Sequence, residues 1–330
     1  MNISIIGAGA WGSTLAQHLI INGHQILLWE FDKSRIEYLK KHRHPLFFPH
    51  IKIDKDIVIT NDFALAVTKK DILVFAVPSQ TIRDTAKEIK KYTNTNQIFV
   101  IVSKGIEIKT GKLLSEVVKE EIDTKNIVVL SGPSFAKEVA KGLPTAMVIA
   151  ENPALAGKNS GIIQKFFSTP NLRIYTNSDI TGVEIGGATK NIIAIATGMA
   201  KGMGLGDNTA AAIITRGLVE ITRLGVKLGA KKETFAGLAG MGDLIMTATS
   251  SNSRNRNFGE LIGYGLSVKH SIKKIGMVVE GIPTTEAVIG LSKKLKVEMP
   301  ITSEVYKIIF ENKNPKNAIL TLMSRNIKPE

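Results

Sequence analysis

The segment from Ile3 to Ile20 constrains this chain more than any other. An apolar run, Ile3-Ser-Ile-Ile6, breaks at Gly7-Ala-Gly9-Ala-Trp11-Gly12 and resumes as Ser13-Thr-Leu-Ala-Gln-His-Leu-Ile20. That pattern predicts a strand, a glycine turn of the form G-x-G-x-x-G, and a helix. The first glycine permits a tight turn, and the second removes a Cβ so that backbone can approach a ligand. The third lets the helix pack close against the strand. Unpaired N–H groups at the helix start then face a bound anion, a pyrophosphate above all, with the helix dipole behind them.

Context turns this motif into a dinucleotide site. A second strand, Gln25-Ile-Leu-Leu-Trp29, ends at Glu30, 18 residues after Gly12, where such folds place a carboxylate on the adenosine ribose hydroxyls. The competing reading is that Glu30 merely opens a solvated turn with Asp32. Further strands are predicted at Ile57–Thr60, Asp71–Val77, Gln97–Val102, Asn126–Leu130, Ala146–Ala150 and Leu172–Thr176. Continuous Val/Ile runs suit strands buried on both faces, as in a parallel sheet covered by helices. Amphipathic segments lie between them: Thr81–Tyr92 carries Ile82, Ala86 and Ile89 on one face, and Lys109–Glu121 and Asn152–Phe167 are also expected to be helical. Residues 1–180 thus form an α/β, doubly wound, Rossmann-type domain.

Strand signals stop near Thr181. Helices are predicted at Gly182–Met203, Asn208–Leu228, Ser253–Gly263, Thr285–Leu295 and Ser303–Glu311, with glycine clusters at 202–206 and 237–242 between them. Residues 181–330 therefore read as an all-α C-terminal domain. In this layout the ligand is expected in the crevice between the domains.

Composition narrows the class. Hydrophobic residues make up 44% and charged residues 22%, which argues against widespread disorder. The N-terminus enters a strand at once, so no secretory signal is expected. No uncharged apolar stretch approaches the roughly 20 residues that cross a bilayer. Cysteine is absent, which excludes disulfides, thiol catalysis and cysteine-ligated metals, and makes the cytoplasm the expected compartment. Lys and Arg outnumber Asp and Glu by 43 to 29, a net charge of +14. The lysines are scattered along helices, with only short clusters such as Lys40-Lys-His-Arg43. A solvated basic surface that helps capture phosphorylated ligands is therefore expected, and not a nucleic-acid interface.

Several polar residues sit where packing alone does not want them. Lys104 follows the strand ending at Val102, at the sheet end that faces ligands in such folds; a solvent-exposed loop lysine is the alternative. Gly132 and Ser134 repeat the logic after the next strand, although Gly132 also suits a plain turn and Ser134 also suits an N-cap. Lys190 lies in the small-residue apolar stretch Glu184-Ile-Gly-Gly-Ala-Thr-Lys190-Asn191-Ile-Ile-Ala-Ile-Ala. A buried lysine there is costly unless paired or used; the alternative is a lysine snorkelling to water. Gly186 and Gly187 each weaken the helix by roughly 1 kcal/mol relative to Ala, which implies a close approach by another segment. Asp243 sits in a glycine-rich loop with Thr247 one helical turn on. Ser253-Arg254-Asn255-Arg256 then offers donors suited to a phosphate, or simply a helix start.

Taken together and in this order, these motifs resemble the bacterial NAD(P)-dependent glycerol-3-phosphate dehydrogenase family. They are Gly7-Ala-Gly-Ala-Trp-Gly12, Ser103-Lys-Gly-Ile-Glu107, Leu130-Ser-Gly-Pro-Ser-Phe-Ala136, Gly186-Gly-Ala-Thr-Lys-Asn191, Gly237-Leu-Ala-Gly-Met-Gly-Asp243, Ser253-Arg-Asn-Arg256 and Val279-Glu-Gly281. The resemblance implies Lys190 as catalytic acid/base, with Lys104 and Asp243 completing the catalytic cluster. It implies Lys104, Gly132, Ser134, Lys190, Asp243, Thr247, Ser253, Arg254 and Asn255 around dihydroxyacetone phosphate, the phosphate on Arg254 and Asn255. The cofactor, NAD or NADP, would be lined by Gly7, Gly9, Ala10, Trp11, Gly12, Glu30, Phe31, Lys104, Ala136, Arg254, Val278 and Glu280. No metal is required. A homodimer without membrane insertion is expected, its product supplying phospholipid backbones. Relatives often carry a basic or polar residue where Phe31 stands, so NAD is expected to serve at least as well as NADP. Other dehydrogenases of this layout, for 6-phosphogluconate or 3-hydroxyacids, are the nearest alternative, and a non-catalytic dinucleotide sensor is the more distant one.

Overall fold

The structure, a computed structural model, describes residues 1–326; the last four positions of the predicted helical domain, 327–330, lie outside the described residues. Contacts divide the chain into two compact units. Met1–Lys104 and Lys112–Glu184 form the first; Gly105–Gly111 and the residues from Ile185 onward form the second.

The first unit is built on one eight-stranded sheet. Its strands are β1 (Asn2–Ile6), β2 (Gln25–Trp29), β3 (Val58–Thr60), β4 (Ile72–Phe75), β5 (Ile98–Ile101), β6 (Ile127–Ser131), β7 (Thr145–Glu151) and β8 (Leu172–Asn177). Their order is β3-β2-β1-β4-β5-β6-β7-β8. The helices between them are α1 (Ala10–Ile21), α2 (Lys33–His42), α3 (Phe63–Val67), α4 (Ile82–Lys90), α5 (Leu114–Ile122), α6 (Ala136–Val139) and α7 (Lys158–Phe167). Every strand run singled out by its Val/Ile content is present. Ile3, Ile5, Val74 and Val100 have no exposed surface and join Leu15 and Leu19 of α1 in one core, as expected of strands covered on both faces.

All strand pairs are parallel except β6–β7. The uniformly parallel expectation is corrected there. Between β6 and β7 the only helix is the single turn α6, too short to carry the chain back along the sheet, so β7 runs the opposite way. The sheet reverses its winding at β1, which pairs with β2 on one side and β4 on the other. Ligands of such sheets bind at the carboxyl ends of the strands at this switch point.

The regular elements of the second unit are helices joined by turns: α8 (Ile180–Gly202, entering from the first unit), α9 (Asp207–Lys227), α10 (Asp243–Thr249), α11 (Arg254–Gly263), α12 (Val268–Ile275), α13 (Gly281–Leu295), α14 (Pro300–Phe310) and α15 (Pro315–Met323). Among the described residues no helix is long and apolar enough to cross a membrane. Three helices of this unit lie outside the sequence expectation (α10, α12 and α15), as do α2 and α3 of the first, each of ten residues or fewer. Two predicted ones are shorter than expected. Gly111 takes φ +71° and Glu116 accepts a hydrogen bond from Leu113 N at 2.8 Å, so α5 starts at Leu114 and not at Lys109. The Asn152–Phe167 helix is interrupted where Ala156 and Gly157 adopt positive φ.

Candidate active site

The glycine turn lies at the switch point. Gly7 has φ +116°, a backbone that L side chains rarely adopt, and a Cβ there would stand 2.7 Å from Ala76 O, just past β4. Its N–H donates to Trp29 O at 2.9 Å, tying the end of β1 to the end of β2. Gly9 precedes α1 without any side-chain cap, and a Cβ there would meet no heavy atom within 4 Å. The space in front of the α1 N–H groups is therefore clear, and Ala10, Trp11 and Gly12 form the turn that presents them. The pyrophosphate of a dinucleotide fits this cradle.

Glu30 is buried at the end of β2. Its Oε1 accepts from the N–H groups of Phe31 (3.1 Å) and Asp32 (3.3 Å). Next to it, Phe31 is 81% exposed. Two further predicted residues meet at the carboxyl ends of β5 and β6: Lys104 Nζ donates to Gly132 O at 3.0 Å, and Ser134 Oγ donates to the same carbonyl at 3.0 Å. Gly132 takes φ +122° with Met147 Cα close against it, which fixes that carbonyl. Ser134 caps no helix, because α6 starts after Phe135 without a side-chain cap. Ala136 opens α6 and accepts from Thr14 Oγ1 of α1 at 3.4 Å.

The second unit assembles a buried ion pair. Lys190 is 5% exposed on α8, and its Nζ lies 2.5 Å from Asp243 Oδ1 and 2.7 Å from Thr247 Oγ1. Asp243 is fully buried, and Thr247 Oγ1 is 3.3 Å from the same carboxylate oxygen. The close approach at Gly186 explains this placement. A Cβ there would sit 2.5 Å from Ala239 O, so only glycine lets α8 lie against the turn of Gly237–Gly242. Lys190 follows one helical turn later on the same face, and Asp243 follows Ala239 by four residues. The snorkelling alternative for Lys190 is thereby removed: its ammonium is held inside by a carboxylate. Such a pair is costly to bury and more costly to break.

The predicted phosphate segment divides in two. Ser253 is buried and caps α11, its Oγ accepting from Arg256 N at 3.2 Å, the structural alternative for this residue. Arg256 is also buried and turned to Glu260 (3.1 Å) and Asn257 (3.3 Å). Arg254 instead is exposed and uses one N–H, donating from Nη1 to Val278 O at 2.9 Å, which leaves most of its five-donor fork. Desolvation of the guanidinium lowers the Arg254 pKa, and the Glu280 carboxylate opposes this only in part. Asn255 Nδ2 donates to Asn191 Oδ1 at 2.9 Å, while its Oδ1 accepts from Gly281 N at 2.9 Å. Asn191, to which no role was assigned from sequence, therefore links the helix bearing Lys190 to α11 and to the start of α13. Its signal was a polar side chain directly beside Lys190 in an apolar helix.

Comparisons with known proteins point to one family. The family models described as the N-terminus and the C-terminus of NAD-dependent glycerol-3-phosphate dehydrogenase match residues 2–156 and 179–320. Glycerol-3-phosphate dehydrogenase (NAD(P)+) of Thermoanaerobacter sp. strain X514 is 49% identical over 330 residues, covering 100% of this chain and 99% of the relative. The enzyme of that name from Carboxydothermus hydrogenoformans is 46% identical over 336 residues, covering 100% and 98%. The crystal structure of glycerol-3-phosphate dehydrogenase from Coxiella burnetii aligns with a TM-score of 0.94 at 35% identity, covering 98% of this chain and 99% of that one. With a dinucleotide cradle at one end of the sequence and a buried lysine–aspartate pair in its helical half, this chain belongs to the NAD-dependent glycerol-3-phosphate dehydrogenase family.

Proposed function

We propose that the chain reversibly reduces dihydroxyacetone phosphate to sn-glycerol 3-phosphate with NADH or NADPH, supplying glycerophospholipid synthesis. The observation that carries this reading is the buried Lys190 ammonium, fixed by Asp243 and Thr247. The bound reduced nicotinamide supplies the hydride. Lys190 Nζ stabilises the negative charge that develops on the carbonyl oxygen and donates the proton that completes the alcohol. In the oxidative direction the neutral amine takes that proton back. Such general acid help is typically worth about 10²–10⁴-fold, with stabilisation of the developing oxyanion alongside.

Asp243 holds Nζ in place and balances its charge. Thr247 Oγ1 constrains a second Nζ direction, so the amine is aimed before substrate arrives. Arg254 takes the substrate phosphate on its remaining N–H groups, and Asn255 adds its second amide N–H. In the first unit, Lys104 and Ser134 lie beside the Gly132 carbonyl as further substrate contacts. The reading includes a homodimer working in the cytoplasm, the assembly to be checked by analytical ultracentrifugation. The test of the activity is a substrate panel with NADH oxidation followed by absorbance. Turnover is expected with dihydroxyacetone phosphate, and turnover confined to a 3-hydroxyacid or sugar-acid pair would overturn the assignment.

A further inference from the structure

Helix α12 carries positive charge that the fold leaves unbalanced. From Leu261 to Val279 there is no Asp or Glu, whereas Lys269, Lys273 and Lys274 all fall on this one eight-residue helix. The carboxylates that flank the stretch are engaged elsewhere. Glu260 accepts from Arg256 Nη1 (3.1 Å) and from Tyr264 Oη (3.1 Å), and Glu280 interacts with Arg254. Among the described residues the three lysines make no ion pair. The helix dipole accounts for Lys273 and Lys274 in the last turn, but it opposes Lys269 in the first. Lys269 and Lys273 also stand one turn apart, where like charges destabilise a helix.

The buried Ser271 marks the side of α12 that faces the protein. On a 3.6-residue repeat the opposite side presents Lys269 and Lys273, with Ile272 at one edge and His270 at the other. All four are exposed, Ile272 to 42%. Tyr264, just past the end of α11, is 61% exposed. The last turn of α8 adjoins the same end of α11: a Cβ on Gly202 would stand 2.9 Å from Gly263 Cα, and Lys201 beside it is exposed.

These lysines are point charges spread over one outward face, and no arginine fork or pocket gathers them around a single anion. Such a face matches an extended plane of negative charge. An exposed isoleucine among the ammonium groups and a phenol ring nearby suit the boundary between lipid headgroups and acyl chains. We propose that α12, together with Tyr264, docks peripherally on an anionic lipid bilayer. Its lysines meet the lipid phosphates, and Ile272 enters the headgroup layer. A helix that lies in the plane of the surface needs no membrane span.

The experiment sediments the full-length protein with vesicles of phosphatidylcholine alone, or of phosphatidylcholine with an equal part of phosphatidylglycerol. Binding is expected only to the anionic vesicles, and it is expected to vanish at about 1 M salt, where the screening length falls to about 3 Å. The triple variant Lys269→Gln, Lys273→Gln, Lys274→Gln is expected to bind about 100-fold more weakly, at about fivefold per lysine. Ile272→Ser is expected to weaken binding about fivefold. Both variants are expected to keep native melting behaviour and NADH-dependent turnover. Lys87→Gln, Lys90→Gln, Lys91→Gln on α4 removes the same net charge and is expected to leave vesicle binding within about threefold of wild type. Failure to bind anionic vesicles, or equal binding to neutral ones, overturns the proposal. An equal loss in the α4 variant also overturns it, because net charge and not α12 would then govern binding. Tighter binding to duplex DNA than to anionic vesicles, lost in the α12 variant, would make the partner a nucleic acid and overturn the lipid assignment.

Discussion

Replacing Gly186 by Ala isolates the contact that places Lys190. The new Cβ would stand 2.5 Å from Ala239 O, whereas an ordinary contact needs about 3.4 Å, so α8 and the 237–242 turn must separate by about 0.9 Å. Lys190 Nζ and Asp243 Oδ1 are 2.5 Å apart. The same displacement carries them beyond the roughly 3.2 Å limit of a good hydrogen bond. A misplacement of about 1 Å at a reacting group can cost about 100-fold in rate. Overpacking costs about 1–3 kcal/mol, offset by about 1 kcal/mol from replacing glycine in a helix, so the net loss of stability is small, about 0–2 kcal/mol. The variant is therefore expected to fold, to bind NADH with unchanged Kd, and to lose about 100-fold in kcat for dihydroxyacetone phosphate. Wild-type kcat in a folded variant would refute the argument that this close approach positions the amine.

Two further outcomes follow from other groups. Arg254→Ala is expected to raise KM for dihydroxyacetone phosphate by 10-fold or more with a smaller change in kcat, because the phosphate contact is made in both ground and transition states; an unchanged KM would move the phosphate site elsewhere. Glu220, on α9, accepts from Ile301 N, Thr302 N and Thr302 Oγ1 at the start of α14, and burial pushes its carboxyl up to about 7. A folded-state value above the unfolded one means that its contribution is complete below about pH 4.5 and is lost as pH rises through 7. Urea unfolding is expected to show stability falling from pH 5 to pH 8 by on the order of 2–3 kcal/mol from this group, and Glu220→Gln is expected to flatten that slope. An unaltered slope in the variant would contradict the assignment.

The first unit was legible because its information is local. Gly7, Gly9 and Gly12 report their turn within six residues, and runs such as Ile98–Val102 declare a strand buried on both faces. The antiparallel β7 was not legible, since its direction depends on how little helix forms between Gly132 and Leu143. Helices α10, α12 and α15 run for only seven, eight and nine residues, about two turns each, too few repeats for a pattern to stand out. In the site, Lys190 stood out because a charge in an apolar helix demands an explanation. Its partner Asp243 lies 53 residues away, and only packing at Gly186 shows that they meet. Ser253 and Asn255 show the opposite limit. Each carries donors suited to a phosphate, yet Ser253 caps a helix and Asn255 bridges Asn191 to Gly281, contacts that no spacing rule distinguishes from ligand binding.

The most direct test of the account is Lys190→Ala assayed with and without an added small primary amine. Turnover is predicted to fall by at least 10²-fold with NADH affinity retained, and to recover in part as ethylammonium fills the space left beside Asp243. Near wild-type turnover without the amine would remove Lys190 from the chemistry, and with it the mechanism built on its buried charge.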